Sequence, residues 1–399
     1  MADEIDPLSV PWVAELQHKS RPNEVSSAQM PARPAEYEAR RGTAAALPPD
    51  VATAVVPREP TANPVDPHNV PSYYDVSMLK APLWKWEIAS YFFLGGLSAG
   101  AFLIARMAER FGGEEFADVT RAASYIAGGA VVACPPLLIH DLGDPKRFHH
   151  MLRVWKPSSP MNLGTWALTT YSGAAAASVV REYLRGRNVP AKSRSALSKL
   201  TGATLLAVND AAGIPLAILV AGYTGVLLSS SANPLWCQNP WLGALFSAGA
   251  VSTGAAATDL ALALSGVSPE SPSRRALKKI DTVAHAAEGL TLAGFLKHAG
   301  ERAEPLTRGS MKTHHHVAIG GIIASELLKH MPAPRGVRKW TSALGSVAGL
   351  VGGFALRWAM VHGGHEAGND PRQARRISRG TARELPKQSS NVLKPGQPR

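Results

Sequence analysis

The chain has 399 residues, of which 45% are hydrophobic and 18% are charged, and its formal net charge is +12. Its two cysteines are too few for an iron–sulfur cluster held by four thiolates, so composition excludes a self-contained iron–sulfur protein. The basic excess suits either a nucleic acid or a membrane surface, and the order of apolar segments along the chain distinguishes the two.

The N-terminal segment, 1–82, is rich in Pro, Ala, Glu and Arg and has no sustained hydrophobic period. Such a composition predicts a Pro-rich, largely disordered tail. The N-terminus has no basic region followed by an apolar core, so we expect no signal peptide.

The middle segment, 83–363, is a series of long apolar windows separated by short basic loops. Each window approaches the roughly 20 residues that cross a bilayer as a helix. We therefore predict an all-α integral membrane protein, a bundle of about eight transmembrane helices between polar tails. The windows are 86–107, 119–140, 160–181, 202–228, 241–266, 279–299, 314–330 and 340–362.

The last segment, 364–399, contains "DPRQARRISRG" and predicts a second polar, basic tail. The loops after the first, third, fifth and seventh windows are richer in Lys and Arg than the other loops. By the positive-inside rule these four loops are cytoplasmic, which places both termini on the outer side of the inner (plasma) membrane. Membrane lipid then accounts for the basic excess, and no nucleic-acid partner is expected.

Polar groups from separate windows converge near the predicted outer face. Glu87 and Tyr91 are one turn apart at the start of the first window, so they share a helix face. Ends of the next three windows add His140, Asp141, Asn162 and Tyr223. Each of these alone is compatible with an ordinary interfacial side chain. Their convergence favours a functional site, because ionisable groups in a membrane are costly and usually functional.

A second set of ionisable groups lies deeper, at similar depths on the fourth to sixth windows: Asp210, Asp259, His285 and Glu288. Two interpretations stay open. The set is either a structural polar network that ties helices together or a proton path between the cytoplasm and the outer set.

Four segments resemble the NrfD/polysulfide reductase membrane-subunit family, and they occur in the family's order between about 73 and 370. They are "WEIASYFFLGGLSAGAFL", "HDLGDPKRFHHMLRVWKPSSPMNLGTWAL", "GYTGVLLSSSANPLWCQNPWLGALFSAGAVSTGAA" and "RWAMVHGGHEAG". The long N-terminal tail departs from the shorter family members. The first helix also begins with Glu and Tyr where some members have Asn and His.

The resemblance implies a haem-free membrane anchor that binds menaquinone or ubiquinone and holds no iron–sulfur cluster of its own. It also implies a ferredoxin-like iron–sulfur partner and, often, a molybdenum-containing catalytic subunit. The quinone headgroup would lie at the face that docks the iron–sulfur protein, where Glu87, Tyr91 and Tyr223 match the family's positions. The chain is thus expected to be a quinone-reactive subunit of an oxidoreductase complex rather than a stand-alone enzyme.

The chemistry of quinol oxidation agrees with these residue types. The reaction releases protons as well as electrons, so the site needs hydrogen-bond partners for the ring oxygens and a proton acceptor. We predict that Glu87, His140 and Asp141 handle protons, and that Tyr91, Tyr223 and Asn162 contact the quinone. A path through Asp210, Asp259, His285 and Glu288 would couple the site to proton translocation.

Three alternatives compete with this interpretation. A dihaem cytochrome b-type anchor needs axial histidines that face each other across helices, and no same-helix spacing suggests them. A secondary transporter predicts inverted repeats with broken helices, and no matching halves accompany the prolines at 135, 136 and 215. A purely structural anchor would bind no quinone.

The "HHH" at 314–316 has no carboxylate or cysteine spaced to complete a tetrahedral site, so no metal site is predicted.

Overall fold

The computed structural model describes residues 79, 82–186, 203–371 and 373. The predicted N-terminal tail falls almost entirely outside these residues, as do most of the predicted C-terminal tail and the basic loop after the third window. The described ranges contain helices, short 3₁₀ turns and loops, and no strand.

Each predicted window coincides with one long helix. In chain order the helices are α1 (Trp86–Phe111), α2 (Ala117–His140), α3 (Pro160–Gly186), α4 (Ala203–Ser229), α5 (Trp241–Leu264), α6 (Pro272–Ala299), α7 (Lys312–His330) and α8 (Arg335–Asn369). Five of them, α1, α2, α4, α5 and α8, include a segment long and apolar enough to cross a membrane. The predicted all-α membrane bundle is confirmed for the described residues. The last helix continues to Asn369, past the predicted boundary at 363.

Local features stabilise the turn between α1 and α2 and the start of α6. A 3₁₀ turn, Gly113–Phe116, joins α1 to α2, and Gly113 has a φ of +60° that favours glycine. At the start of α6 the Ser271 hydroxyl accepts a hydrogen bond from the backbone N–H of Arg274 at 3.3 Å. This cap satisfies one of the free N–H groups at the helix start.

The centre of the bundle is α1, which packs against α2, α4, α5 and α8. Most of its residues are buried, as expected for a helix that is apolar on every side. A Cβ atom on Gly100 would overlap the carbonyl oxygen of Ala250, and one on Gly254 would overlap the backbone at Gly100 and Ala101. The backbones of α1 and α5 therefore touch, which only very small residues permit.

We expect Gly254→Val to lower the free energy of unfolding by at least about 1–3 kcal/mol, the usual range for overpacking, because the new side chain must push α1 away. The matched control is Gly289→Val on α6, where a Cβ would meet nothing within 4 Å. Thermal unfolding of the two purified variants in the same detergent tests this. Equal stability of both variants would contradict the close α1–α5 contact.

Candidate functional site

A cavity of about 350 Å³ lies at the end of the bundle where α1 begins, α2 ends and α3 begins. We call this end the cavity face. The volume is within the range of small-molecule sites. Most lining side chains are apolar, and the polar or ionisable ones are Tyr91, Asp141, Thr165, Thr169, Ser172 and Tyr223. Three of the six side chains predicted at this face thus line one cavity, and the other three lie beside it.

Glu87 lies in the first turn of α1 and is only 3% exposed. Its Oε1 atom is 2.8 Å from Nδ1 of His140, the last residue of α2. The His140 side chain is 71% exposed, so this pair connects a buried carboxylate to the surface. The second oxygen, Oε2, is buried and has no hydrogen-bond partner in the described part of the chain. Such an atom is costly to bury, which indicates a place for a proton or a ligand group.

Asp141 follows His140 in the sequence, but the imidazole of His140 pairs with Glu87 and not with Asp141. Asp141 is instead the first residue beyond α2 and accepts a hydrogen bond from the backbone of Lys85. Asp141 is also one of the residues that line the cavity. Burial raises the pKa of Asp141 above its usual value, and the nearby charge of Glu87 raises it further.

The two predicted tyrosines meet in the cavity wall. Tyr91 is buried one turn below Glu87, and Tyr223 approaches from α4. The Tyr223 hydroxyl donates a hydrogen bond to the carbonyl oxygen of Pro160. This contact requires glycine at 164, because a Cβ there would overlap the phenol ring. With its proton committed to Pro160, the Tyr223 oxygen is left as a hydrogen-bond acceptor. The role of both tyrosines as quinone contacts stays a prediction.

Asn162 does not line the cavity, contrary to the role predicted for it. Its amide donates to the carbonyl oxygens of Met151 and Val154, and its Oδ1 accepts from the backbone N–H of Lys156 at 2.7 Å. The amide thus has its hydrogen-bonding groups committed to the loop after α2. It acts as a positioning residue that holds this loop against α3.

Several cavity residues escaped the sequence analysis. Trp84 precedes α1, and Phe148, Met151 and Leu152 belong to the 3₁₀ turn Pro145–Leu152 after α2. Because these residues are apolar, nothing in the local sequence predicts that this loop folds over a cavity. A weak sign was present on α3, where Thr165, Thr169 and Ser172 recur at helical spacing on one face.

At the opposite end of the bundle, Asp210 belongs to an ion-pair network among α1, α3 and α4. Its Oδ1 lies 2.6 Å from Nε of Arg106, and Arg106 also pairs with Glu109 at 2.7 Å. Glu109 in turn pairs with Arg181 of α3. These contacts neutralise charges that would otherwise be buried alone.

The other three predicted proton-path residues have different partners, which lie on α5 to α8. Asp259 binds Arg274 through two contacts of 2.8 and 3.1 Å, and His285 lies 2.8 Å from Glu326. Glu288 accepts a hydrogen bond from Ser252 at 3.0 Å and pairs with the fully buried Arg357 at 3.4 Å. In the described part of the chain, no hydrogen bond or ion pair joins these groups to Asp210. The single deep set predicted from depth alone is therefore divided, and its role in proton transfer stays a prediction.

One group of metal-ligating side chains occurs among the described residues. The ligand atoms of Asp281, His285 and Glu326 all lie within 4.8 Å of one another. Lys329 already donates from its ammonium group to Asp281. This ammonium supplies the positive charge that a metal ion would bring, so we interpret the group as an ion-pair network.

Comparison with known proteins gives matches over most of the chain. A family model described as "Polysulphide reductase, NrfD" matches residues 76–366. The C chain of polysulfide reductase from Wolinella succinogenes is 28% identical over 304 residues, which cover 71% of this chain and 94% of that protein. Protein NrfD of Escherichia coli is 29% identical over 199 residues, 46% of this chain and 60% of that protein. The C subunit of selenate reductase from Mesobacillus selenatarsenatis is 28% identical over 170 residues, which cover 36% of this chain and 39% of that protein.

We expect Glu87→Gln to lower the pKa of Asp141, because the substitution removes a neighbouring negative charge that raises it. Infrared titration of the protonated carboxyl band, assigned with Asp141→Asn, measures the shift. Glu366→Gln is the control, since Glu366 lies near the same end of the bundle but binds Ser310. An unchanged pKa in Glu87→Gln, or an equal decrease in the control, would contradict the geometry.

Proposed function

Because the chain belongs to the NrfD polysulphide reductase family, we propose that it is the membrane subunit of a respiratory reductase, and that its cavity binds quinone or quinol. In this proposal electrons pass between the cavity and an iron–sulfur protein docked at the cavity face. A molybdenum-containing subunit would carry the terminal reaction, in keeping with relatives that are named as single components of polysulfide and selenate reductases.

One observation carries the proposal. A mainly apolar cavity lies beside a buried carboxylate that has one oxygen without a partner and the other on a surface histidine. An apolar cavity suits a planar ring with an isoprenoid tail. A carboxylate–histidine pair that leads to the surface suits the release of protons to water.

The polar lining residues fit the two oxygens of a quinone ring. Asp141 lines the cavity and has a raised pKa, so its carboxyl group can donate a hydrogen bond when protonated and accept one when ionised. The oxygen of Tyr223 accepts from a ring hydroxyl while its own proton stays on Pro160. The surrounding apolar wall excludes water, which strengthens these contacts.

Protons and electrons leave the cavity by different routes in this proposal. Oxidation of one quinol releases two electrons, which reduce the iron–sulfur partner, and two protons. The carboxylates of Asp141 and Glu87 accept protons, and His140 passes them from Glu87 to the solvent. In the opposite direction of electron flow the same groups supply protons to the ring.

A basic surface beside the cavity supports the position of the partner. The loop from 145 to 156 carries the exposed cations Lys146, Arg147, Arg153 and Lys156. Its Phe148 both lines the cavity and is 42% exposed, and Trp155 is 60% exposed. An acidic protein surface would complement these charges and come close to the bound ring.

We expect Glu87→Gln to slow quinol-dependent reduction of the iron–sulfur partner by roughly 10²-fold or more, the usual scale for losing a general base. The assay uses native membranes with protein levels matched, and Glu366→Gln serves as the control at the same end of the bundle. An unchanged rate in Glu87→Gln would place the proton-accepting site elsewhere.

The same membranes test whether the deep groups on α5 to α8 conduct protons. If they do, Glu288→Gln should impair proton uptake that accompanies turnover while the affinity for quinol stays the same. Proton uptake per electron equal to wild type would mean that the Glu288–Arg357 pair is structural.

The docking face and the membrane orientation are tested together with single-cysteine labelling. Lys156→Cys should react with a membrane-impermeant maleimide added outside the cell, and an assembled iron–sulfur partner should protect it. Glu114→Cys, in the turn at the opposite end, should react only after the membrane is opened. The native cysteines are both buried, which keeps the background low. Labelling of Glu114→Cys from outside would reverse the proposed orientation.

A further inference from the structure

A groove of about 680 Å³ lies between α5 and α6, outside the cavity described above. Small side chains form much of it, among them Ala244, Ala248, Ala284 and Ala287. Val283 also lines the groove and is 69% exposed. We expect an exposed apolar surface of this kind to face lipid in a membrane-spanning bundle, so the occupant of the groove must be apolar along most of its length.

The two ends of the groove differ. Lys279 lies at the end nearer the start of α6, and Thr291 lies at the other end. Just beyond Thr291 the ring of Trp241 packs on α6 at Gly294, where a Cβ would overlap it. At 1.5 Å per residue, the distance from Lys279 to Thr291 is about 18 Å. This matches one leaflet of a bilayer, whose hydrocarbon core is about 30 Å thick in total.

Two further features lie beside Lys279. Arg275 is exposed one turn earlier on the same helix face. A second hollow, of about 210 Å³, shares Ile280 with the groove and lies between the start of α6 and the end of α1. Met107 and Phe111 line this smaller hollow. Two apolar hollows and two cations therefore meet at one place.

We propose that this site binds an anionic diacyl phospholipid. One acyl chain lies in the groove between α5 and α6, the second contacts the smaller hollow, and the phosphate lies beside Arg275 and Lys279. Basic groups between membrane helices commonly hold anionic lipid headgroups in this way. A helix from a partner protein would fill the larger groove but would leave the smaller hollow and both cations without a counterpart.

Native mass spectrometry of the full-length protein in detergent tests the proposal, with dioleoyl phosphatidylglycerol and dioleoyl phosphatidylcholine as probes. We expect the anionic lipid to bind at least about five-fold more tightly, since each nearby cation contributes about 1 kcal/mol, or about five-fold. The double variant Arg275→Gln/Lys279→Gln should lose this preference. Ala287→Leu should weaken the binding of both lipids, because it fills the groove.

Lys297→Gln is the matched control, since Lys297 is exposed on the same helix but lies at its other end. It should keep the preference for the anionic lipid. Equal affinity for the two lipids in the unmodified protein would overturn the proposal. The proposal would also be overturned if the double variant kept its preference for the anionic lipid, or if Lys297→Gln lost as much of that preference as the double variant. The two charge variants alter only solvent- or lipid-facing side chains, so the test does not depend on whether Ala287→Leu folds.

Discussion

The helices α1 and α5 approach each other backbone to backbone at Gly100, Ala250 and Gly254, and this contact holds α1 in the middle of the bundle. In lipid, helices gain little from the hydrophobic effect, so close packing of small residues is what brings them together. Two turns nearer the cavity face, Phe92 of α1 packs against Phe246 of α5 with ring centroids 6.0 Å apart. The first turn of α1 is thereby fixed, and with it the position of Glu87 and Tyr91 in or beside the cavity.

The Phe92–Phe246 contact also connects the cavity to a buried ion pair between α6 and α8. The guanidinium of Arg357 lies 5.2 Å from the ring centroid of Phe246, and Arg357 is the partner of Glu288. Phe92 lines the cavity, so one aromatic ring separates the cavity wall from a buried ion pair. Removing one member of such a pair is costly, because the other charge stays buried. A movement of the cavity wall that displaced Phe246 would therefore disturb the Glu288–Arg357 ion pair and change the free energy of the protein strongly.

Charge is distributed differently at the two ends of the helix bundle. At the cavity face the buried carboxylate of Glu87 connects to an exposed imidazole, and the adjoining loop carries several exposed cations. At the opposite end the two arginines Arg106 and Arg181 neutralise the carboxylates of Glu109 and Asp210 within the bundle. An open arrangement suits exchange with water and a partner protein, whereas a closed network suits the attachment of one helix to another.

The sequence by itself determined the helices and the face at which the candidate site lies. Long apolar windows can satisfy their backbone hydrogen bonds in lipid only as helices, and alternation of direction brings the start of α1 and the ends of α2 and α4 to one side. Helical spacing was also enough to place Glu87 and Tyr91 on a common face. Only the tertiary structure decided which groups touch. It paired His140 with Glu87 rather than Asp141, assigned the amide of Asn162 to a loop, and separated Asp210 from Glu288. These outcomes depend on distances of a few ångströms between helices that are far apart in sequence, and no local pattern encodes such distances.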